Sequence, residues 1–217
     1  MPRSLLLINP NTSATTTKMM LAAARAVLGG HVRLRGITAA NGTRMLLNDG
    51  DIAVAAQEVV RIGRMAAKDE DCVVIAAFGN PGLDELRRSI ACEVVGIGEA
   101  AVLEAATDRR RFGIVTTTPD LKASIERGVE SLSLCDTFVG VRIARGNPLV
   151  LAEDPDAQYG ALHDACVKSF EVDGAEAVII GGGPLSGSAA TLQEHFGDVI
   201  IQPIAAAMRL CLRRMGV

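Results

Sequence analysis

At 217 residues the chain can form one domain or two small ones, and with 49% apolar but only 3% aromatic residues its core must be aliphatic. A formal net charge of −3, no acidic tail and no basic cluster beyond Arg109-Arg110-Arg111 leave no electrostatic footprint for nucleic acid. Five cysteines without a CxxC pair argue against a disulfide framework, and no apolar run approaches the roughly 20 residues that span a bilayer. Because a strand starts straight after Met1-Pro2-Arg3-Ser4, with no room for a signal peptide, a soluble cytoplasmic protein is expected.

In chain order, Leu5–Ile8 reads as a short buried strand, Asn9–Ser13 as a turn with N-cap candidates, and Ala14–Leu28 as a helix ended by Gly29-Gly30. Val32–Thr38 alternates as a strand, with His31 at its start. A loop with Asn41-Gly42 and Asn48-Asp49-Gly50 leads into a helix over Ile52–Ala67. Cys72–Phe78 is an apolar strand that breaks into Gly79-Asn80-Pro81-Gly82, followed by a short helix from Leu83 to Arg88. Glu93–Ile97 and Glu99–Thr107 are the fourth strand and helix.

The pattern then restarts. Phe112–Val115 is a strand, Thr116–Asp120 a turn, Leu121–Leu132 a helix and Phe138–Ile143 a strand. Asp156–Phe170 is a helix, Ala177–Ile180 a strand, Gly181–Pro184 a turn and Ser188–Phe196 a helix. Val199–Gln202 and Ile204–Met215 close the chain. Asn9 and Thr116 end the first strand of each half, and Ala77 and Gly182 the third, at nearly equal spacing, which favours an internal duplication. The expected fold is α/β, with two similar (βα)4 subdomains related by pseudo-two-fold symmetry. Each is a parallel four-stranded sheet flanked by helices, residues 1–98 plus 203–217 in one and 99–202 in the other.

Ligands of such sheets bind beyond the strand carboxyl ends. If those ends face each other, four turns share one cleft. Their residues Asn9, Asn11, Thr12, Ser13, Ala77, Phe78, Gly79, Asn80, Thr116, Thr117, Thr118, Gly182, Gly183 and Pro184 are the candidate substrate-binding set. Backbone N–H groups at helix starts and the hydroxyls suit a small anionic or carbonyl-bearing molecule, with no lysine or arginine placed to hold it. His163 and His195 read as surface or structural groups, Asp84 as a first-turn acid, Ser186 and Ser188 as helix caps, and Tyr159 as packing. No metal-ligand spacing is present. Cys72, Cys92, Cys135, Cys166 and Cys211 all fall away from the turns.

Ile8-Asn9-Pro10-Asn11-Thr12-Ser13, Ala77-Phe78-Gly79-Asn80-Pro81-Gly82-Leu83, Gly96-Ile97-Gly98-Glu99-Ala100-Ala101 and Ile114-Val115-Thr116-Thr117 resemble the aspartate/glutamate/hydantoin racemase superfamily, nearest its hydantoin and allantoin racemase branch. The resemblance covers nearly the whole chain. It implies a cofactor-independent isomerase, commonly oligomeric, in which two cysteines facing each other across the cleft remove and return a proton beside a carbonyl. This sequence departs from that pattern, for the two cysteine positions fall at Ala77 and Gly182. Neither residue carries a proton, so the catalytic groups are not assigned. Three readings stay open: a racemase-like isomerase that moves its proton by a non-thiol group or water, a decarboxylase or lyase using the same oxyanion site, and an inactive small-molecule-binding paralogue.

Overall fold

The computed structural model describes residues 3–30 and 32–217; His31 lies outside them. The first half runs β1 (Arg3–Asn9), α1 (Ala14–Leu28), β2 (Val32–Thr38), α2 (Asp49–Ala66), β3 (Cys72–Ile75), α3 (Leu83–Ser89), β4 (Glu93–Gly96) and α4 (Ile97–Ala105). The second runs β5 (Phe112–Thr116), α5 (Lys122–Ser131), β6 (Phe138–Ile143), α6 (Pro148–Leu151), α7 (Pro155–Glu171), β7 (Ala177–Ile180), α8 (Ser186–Phe196), β8 (Ile200–Ile201) and α9 (Pro203–Met215). Two four-stranded parallel sheets result, ordered β2-β1-β3-β4 and β6-β5-β7-β8.

Strand alternation explains the layers. Leu5 and Leu7 of β1 and Cys72 and Val74 of β3 point into a central core, while Leu6, Ile8, Val73 and Ile75 point to an outer one with Val59, Ile62 and Leu86 of α2 and α3. In the second sheet Ala177 and Ile179 face the central core, and Val178 and Ile180 pack outward with Leu162 and Leu192 of α7 and α8. The central core is common to both sheets and takes in α1, α4 and α9 as well. Each fully buried Leu, Ile or Val stabilises by roughly 1.5–3 kcal/mol, so this shared layer resists opening of the halves.

Hydrogen-bond register makes the duplication concrete. Ile8 pairs with Ile75 as Val115 pairs with Ile180. One residue on, the Ala76 amide donates to Ile8 O and the Gly181 amide to Val115 O. Ala77 and Gly182 therefore occupy equivalent places beyond equivalent strands.

Several boundaries differ from the sequence expectation. Helix α2 begins at Asp49 rather than Ile52, because Asn48 Oδ1 accepts from Asp51 N at 3.0 Å and caps the helix early. Strand β3 stops at Ile75, and Ala76–Phe78 already belong to the turn. Helix α4 starts at Ile97, immediately after its strand. The four-residue α6, capped by Asn147 Oδ1, was not expected at all. Among the described residues no helix is long and apolar enough to cross a membrane.

Candidate functional site

The Asn9–Ser13 turn is organised from within. Asn9 is fully buried, and its Nδ2 donates to Asn11 Oδ1 (2.9 Å), Ser13 O (3.1 Å) and Thr17 Oγ1 (2.9 Å), while its Oδ1 accepts from Asn11 N at 3.2 Å. Asn11 Oδ1 also accepts from Ser13 N at 2.9 Å. Two donors on that oxygen fix the Asn11 amide, so its Nδ2 faces the other way, with no protein acceptor among the described residues. Thr12 N donates to Thr43 O, and Ser13 Oγ caps α1 through Thr16 N. Of the candidate residues in this turn, only Asn11 reaches the cavity described next; Asn9 and Ser13 spend their polar groups on the turn and the start of α1, and the Thr12 amide on Thr43 O.

A cavity of about 70 Å3 lies where the strand ends of both halves meet. Asn11, Ala77, Phe78 and Gly79 line it from the first half, and Thr116, Thr117, Thr118, Gly182, Gly183 and Pro184 from the second. Ala76, Gly181 and Leu185 line it from the same turns, and Met45, Leu46, Ile52, Leu121, Ser124, Ile125, Pro148 and Gln158 complete the wall; none of these last eight was expected from sequence as a site residue. They come from loops and helix starts distant in the chain, where no motif marks them; the apolar character of Met45-Leu46 inside a polar loop was the one available signal.

Among the described residues no backbone carbonyl accepts from the amides of Ala77, Phe78, Thr117, Thr118, Gly182 or Gly183. Thr117 is 4% exposed, yet its hydroxyl makes no hydrogen bond among the described residues, while the Thr116 and Thr118 hydroxyls bond each other at 3.1 Å. Enclosed amides without partners call for an oxygen acceptor from a ligand or water. Gln158 is already satisfied, donating to Leu151 O at 3.1 Å and accepting from Ser188 Oγ at 2.8 Å. Ser188 is thus a buried packing contact rather than a helix cap.

Among the described residues no titratable side chain lines the cavity. Cys72 and Cys211 are fully buried with their sulfurs 3.1 Å apart, and that contact together with burial raises the Cys72 thiol far above its ordinary range. Burial pushes Cys166 up to about 12 and raises Cys92. Cys72, Cys92 and Cys166 are therefore not ready thiolates. Gly182 also rules out a simple return of a thiol, since its φ of 151° and ψ of 130° lie in a region open in practice to glycine alone.

The loop carrying Met45 and Leu46 is held at its ends. Glu58 of α2 accepts from Ala40 N, Asn41 N and Asn41 Nδ2, and pairs with Arg61 through two 2.9 Å contacts. Those bonds, the Arg61 guanidinium first, hold the Glu58 carboxyl down at about 2. Further along, Leu47 N donates to Asp51 Oδ2 at 2.8 Å. Asn80, also a candidate, does not line the cavity; its side chain turns to the start of α4.

Comparison with known proteins agrees with this geometry. The family model described as Asp/Glu/Hydantoin racemase matches residues 5–211. A hydantoin racemase of Rhizobium meliloti is 30% identical over 215 residues, 97% of this chain and 88% of the relative. One of Paenarthrobacter aurescens is 27% identical over 208 residues, 95% and 88%. The structure of an allantoin racemase from Klebsiella pneumoniae superposes with a TM-score of 0.91 at 27% identity, covering 99% of this chain and 89% of that one.

Proposed function

We propose, from the premise that the chain belongs to the Asp/Glu/Hydantoin racemase family, that it is a cofactor-independent, racemase-like isomerase of a small carbonyl compound whose proton moves to and from water. One observation carries this reading: the cavity wall presents unpartnered N–H donors and no titratable side chain. The relatives named above act, by their names, on hydantoins and allantoin. An uncharged cyclic ureide of that kind suits a wall that carries no lysine, arginine or histidine among the described residues.

In this scheme a ring carbonyl oxygen accepts from the Ala77 and Phe78 amides or from those of Gly182 and Gly183, with Asn11 Nδ2 and Thr117 Oγ1 beside it. Hydroxide or water takes the proton from the adjacent carbon. The C–H electron pair moves into the carbonyl and leaves the charge on oxygen, where fixed donors stabilise it; one such donor is typically worth about 10²–10³ in rate. Water returns a proton to the opposite face and gives the mirror-image compound. Absence of a positioned acid and base costs roughly 10²–10⁴ per group, so turnover is slow.

The same wall supports two other readings. Decarboxylation needs no base, because the electrons of the breaking C–C bond pass to the oxyanion as carbon dioxide leaves. A binding protein needs no chemistry at all. Optical rotation of an enantiopure 5-substituted hydantoin, with deuterium uptake from solvent, separates them. The isomerase reading predicts slow loss of rotation with exchange at carbon 5, rising about tenfold per pH unit. Fast racemisation on a bell-shaped pH profile would show that side-chain acids and bases operate and would overturn it. Calorimetric binding without exchange supports the binder, and carbon dioxide release from a disubstituted malonate the lyase.

The cleft residues named above, the division into 1–98 plus 203–217 and 99–202, a cytoplasmic location and assembly as a homo-oligomer belong to the proposal too. Light scattering after gel filtration tests the last.

A further inference from the structure

Asn80 sits beside the cavity without lining it, and its backbone and side chain are both unusual. Its φ of 49° is left-handed, a conformation asparagine tolerates better than other side chains. Its amide bonds back to Ala77 O at 3.0 Å. Its Oδ1 accepts from Gly98 N at 3.0 Å and Glu99 N at 3.4 Å, first-turn amides of α4 that have no carbonyl of their own helix to bond. The fit depends on two missing side chains. A Cβ at Gly96 would fall on Asn80 Oδ1, and one at Gly98 on the Phe78 carbonyl oxygen. The Gly96-Ile97-Gly98 stretch is therefore a socket into which the Phe78–Asn80 turn is pressed.

We propose that Asn80 is a positioning residue: by pinning the turn to α4 it fixes the direction of the Ala77 and Phe78 amides that face the cavity. The proposal rests on the reading that those amides hold a ligand oxygen. Rotating this short turn would redirect both donors while leaving the strand behind them, β3, in place. An aspartate at position 80 keeps the acceptor oxygen and suits a helix N-terminus. A glycine keeps the left-handed backbone and removes the whole side chain, the acceptor oxygen with it.

The experiment compares the parent, Asn80→Gly and Asn80→Asp by calorimetry with hydantoin as probe and by amide ¹⁵N spectra of the ligand-free proteins. N80G should bind hydantoin about tenfold more weakly, the equivalent of one ordinary hydrogen bond. It should also shift the Ala77 and Phe78 amide signals. N80D should stay within about threefold of the parent, with both signals unmoved, a rescue that a merely space-filling role would not give. N80G binding like the parent with unshifted signals overturns the proposal. If the parent binds no hydantoin, the reading of the cavity fails, and the ligand-free spectra still decide whether Asn80 orients the amides. Should N80G not fold, Gly98→Ala, whose Cβ falls on Phe78 O and lies 3.1 Å from Asn80 Nδ2, displaces the turn from the same socket and must produce the same signal shifts.

Discussion

Asn11→Asp exchanges one cavity-facing group and keeps the rest of its turn. The substituted side chain retains an oxygen where Oδ1 stands, so the 2.9 Å bonds from Asn9 Nδ2 and Ser13 N persist. Where Nδ2 now offers a donor, the variant places a carboxylate oxygen. A ligand carbonyl loses one hydrogen bond, about 1 kcal/mol, and faces an acceptor while partly desolvated, a further 1–2 kcal/mol. Hydantoin should bind roughly 30- to 150-fold more weakly. No buried donor loses its partner, so the loss of stability should stay within the roughly 1–3 kcal/mol that partly desolvating a carboxylate at this buried position costs. Calorimetry gives the affinity and urea unfolding the stability. Parent-like affinity in a well-folded N11D would refute the orientation assigned to the Asn11 amide. A larger loss would refute the claim that the Asn11 side chain serves its turn through Oδ1 alone.

Three other outcomes follow from the same coordinates. Cysteine introduced at Gly182 should destabilise by about 1–3 kcal/mol because of the positive φ, whereas Ala77→Cys should be nearly neutral; urea midpoints compare the two. The Glu58 carboxyl is held below its unfolded value, so its contribution is complete above pH 4.5 and is lost as pH falls towards 2; Glu58→Gln should flatten the fall in stability across that window. A thiol reagent should label exposed Cys135 first in the native protein and reach Cys72, Cys166 and Cys211 only on unfolding.

Much of the architecture is legible in the sequence because parallel strands leave short aliphatic runs that end in turn residues. Leu5–Ile8, Cys72–Ile75 and Ala177–Ile180 are buried on both faces, and a turn containing Asn, Pro or Gly follows each within a few residues. The repeated turns also place the cleft, since equal register in both sheets puts Ala77 and Gly182 in equivalent positions. Side-chain direction is what the sequence does not carry. Asn9 and Asn11 read alike as candidate contacts, yet one is consumed by three internal bonds and the other is turned outward by them. Asn80 reads as a cleft residue and instead serves α4, because Gly96 and Gly98 make room for it. Met45, Leu121 and Gln158 reach the wall only through the packing of loops and helices on neighbouring strands.

The most direct measurement is a hydantoin titration followed in amide ¹⁵N spectra. Signals of Ala77, Phe78, Thr117, Thr118, Gly182 and Gly183, drawn from both halves, should move together along one saturation curve. Movement confined to one half, or centred on residues far from these turns, would contradict a shared oxygen-binding cleft.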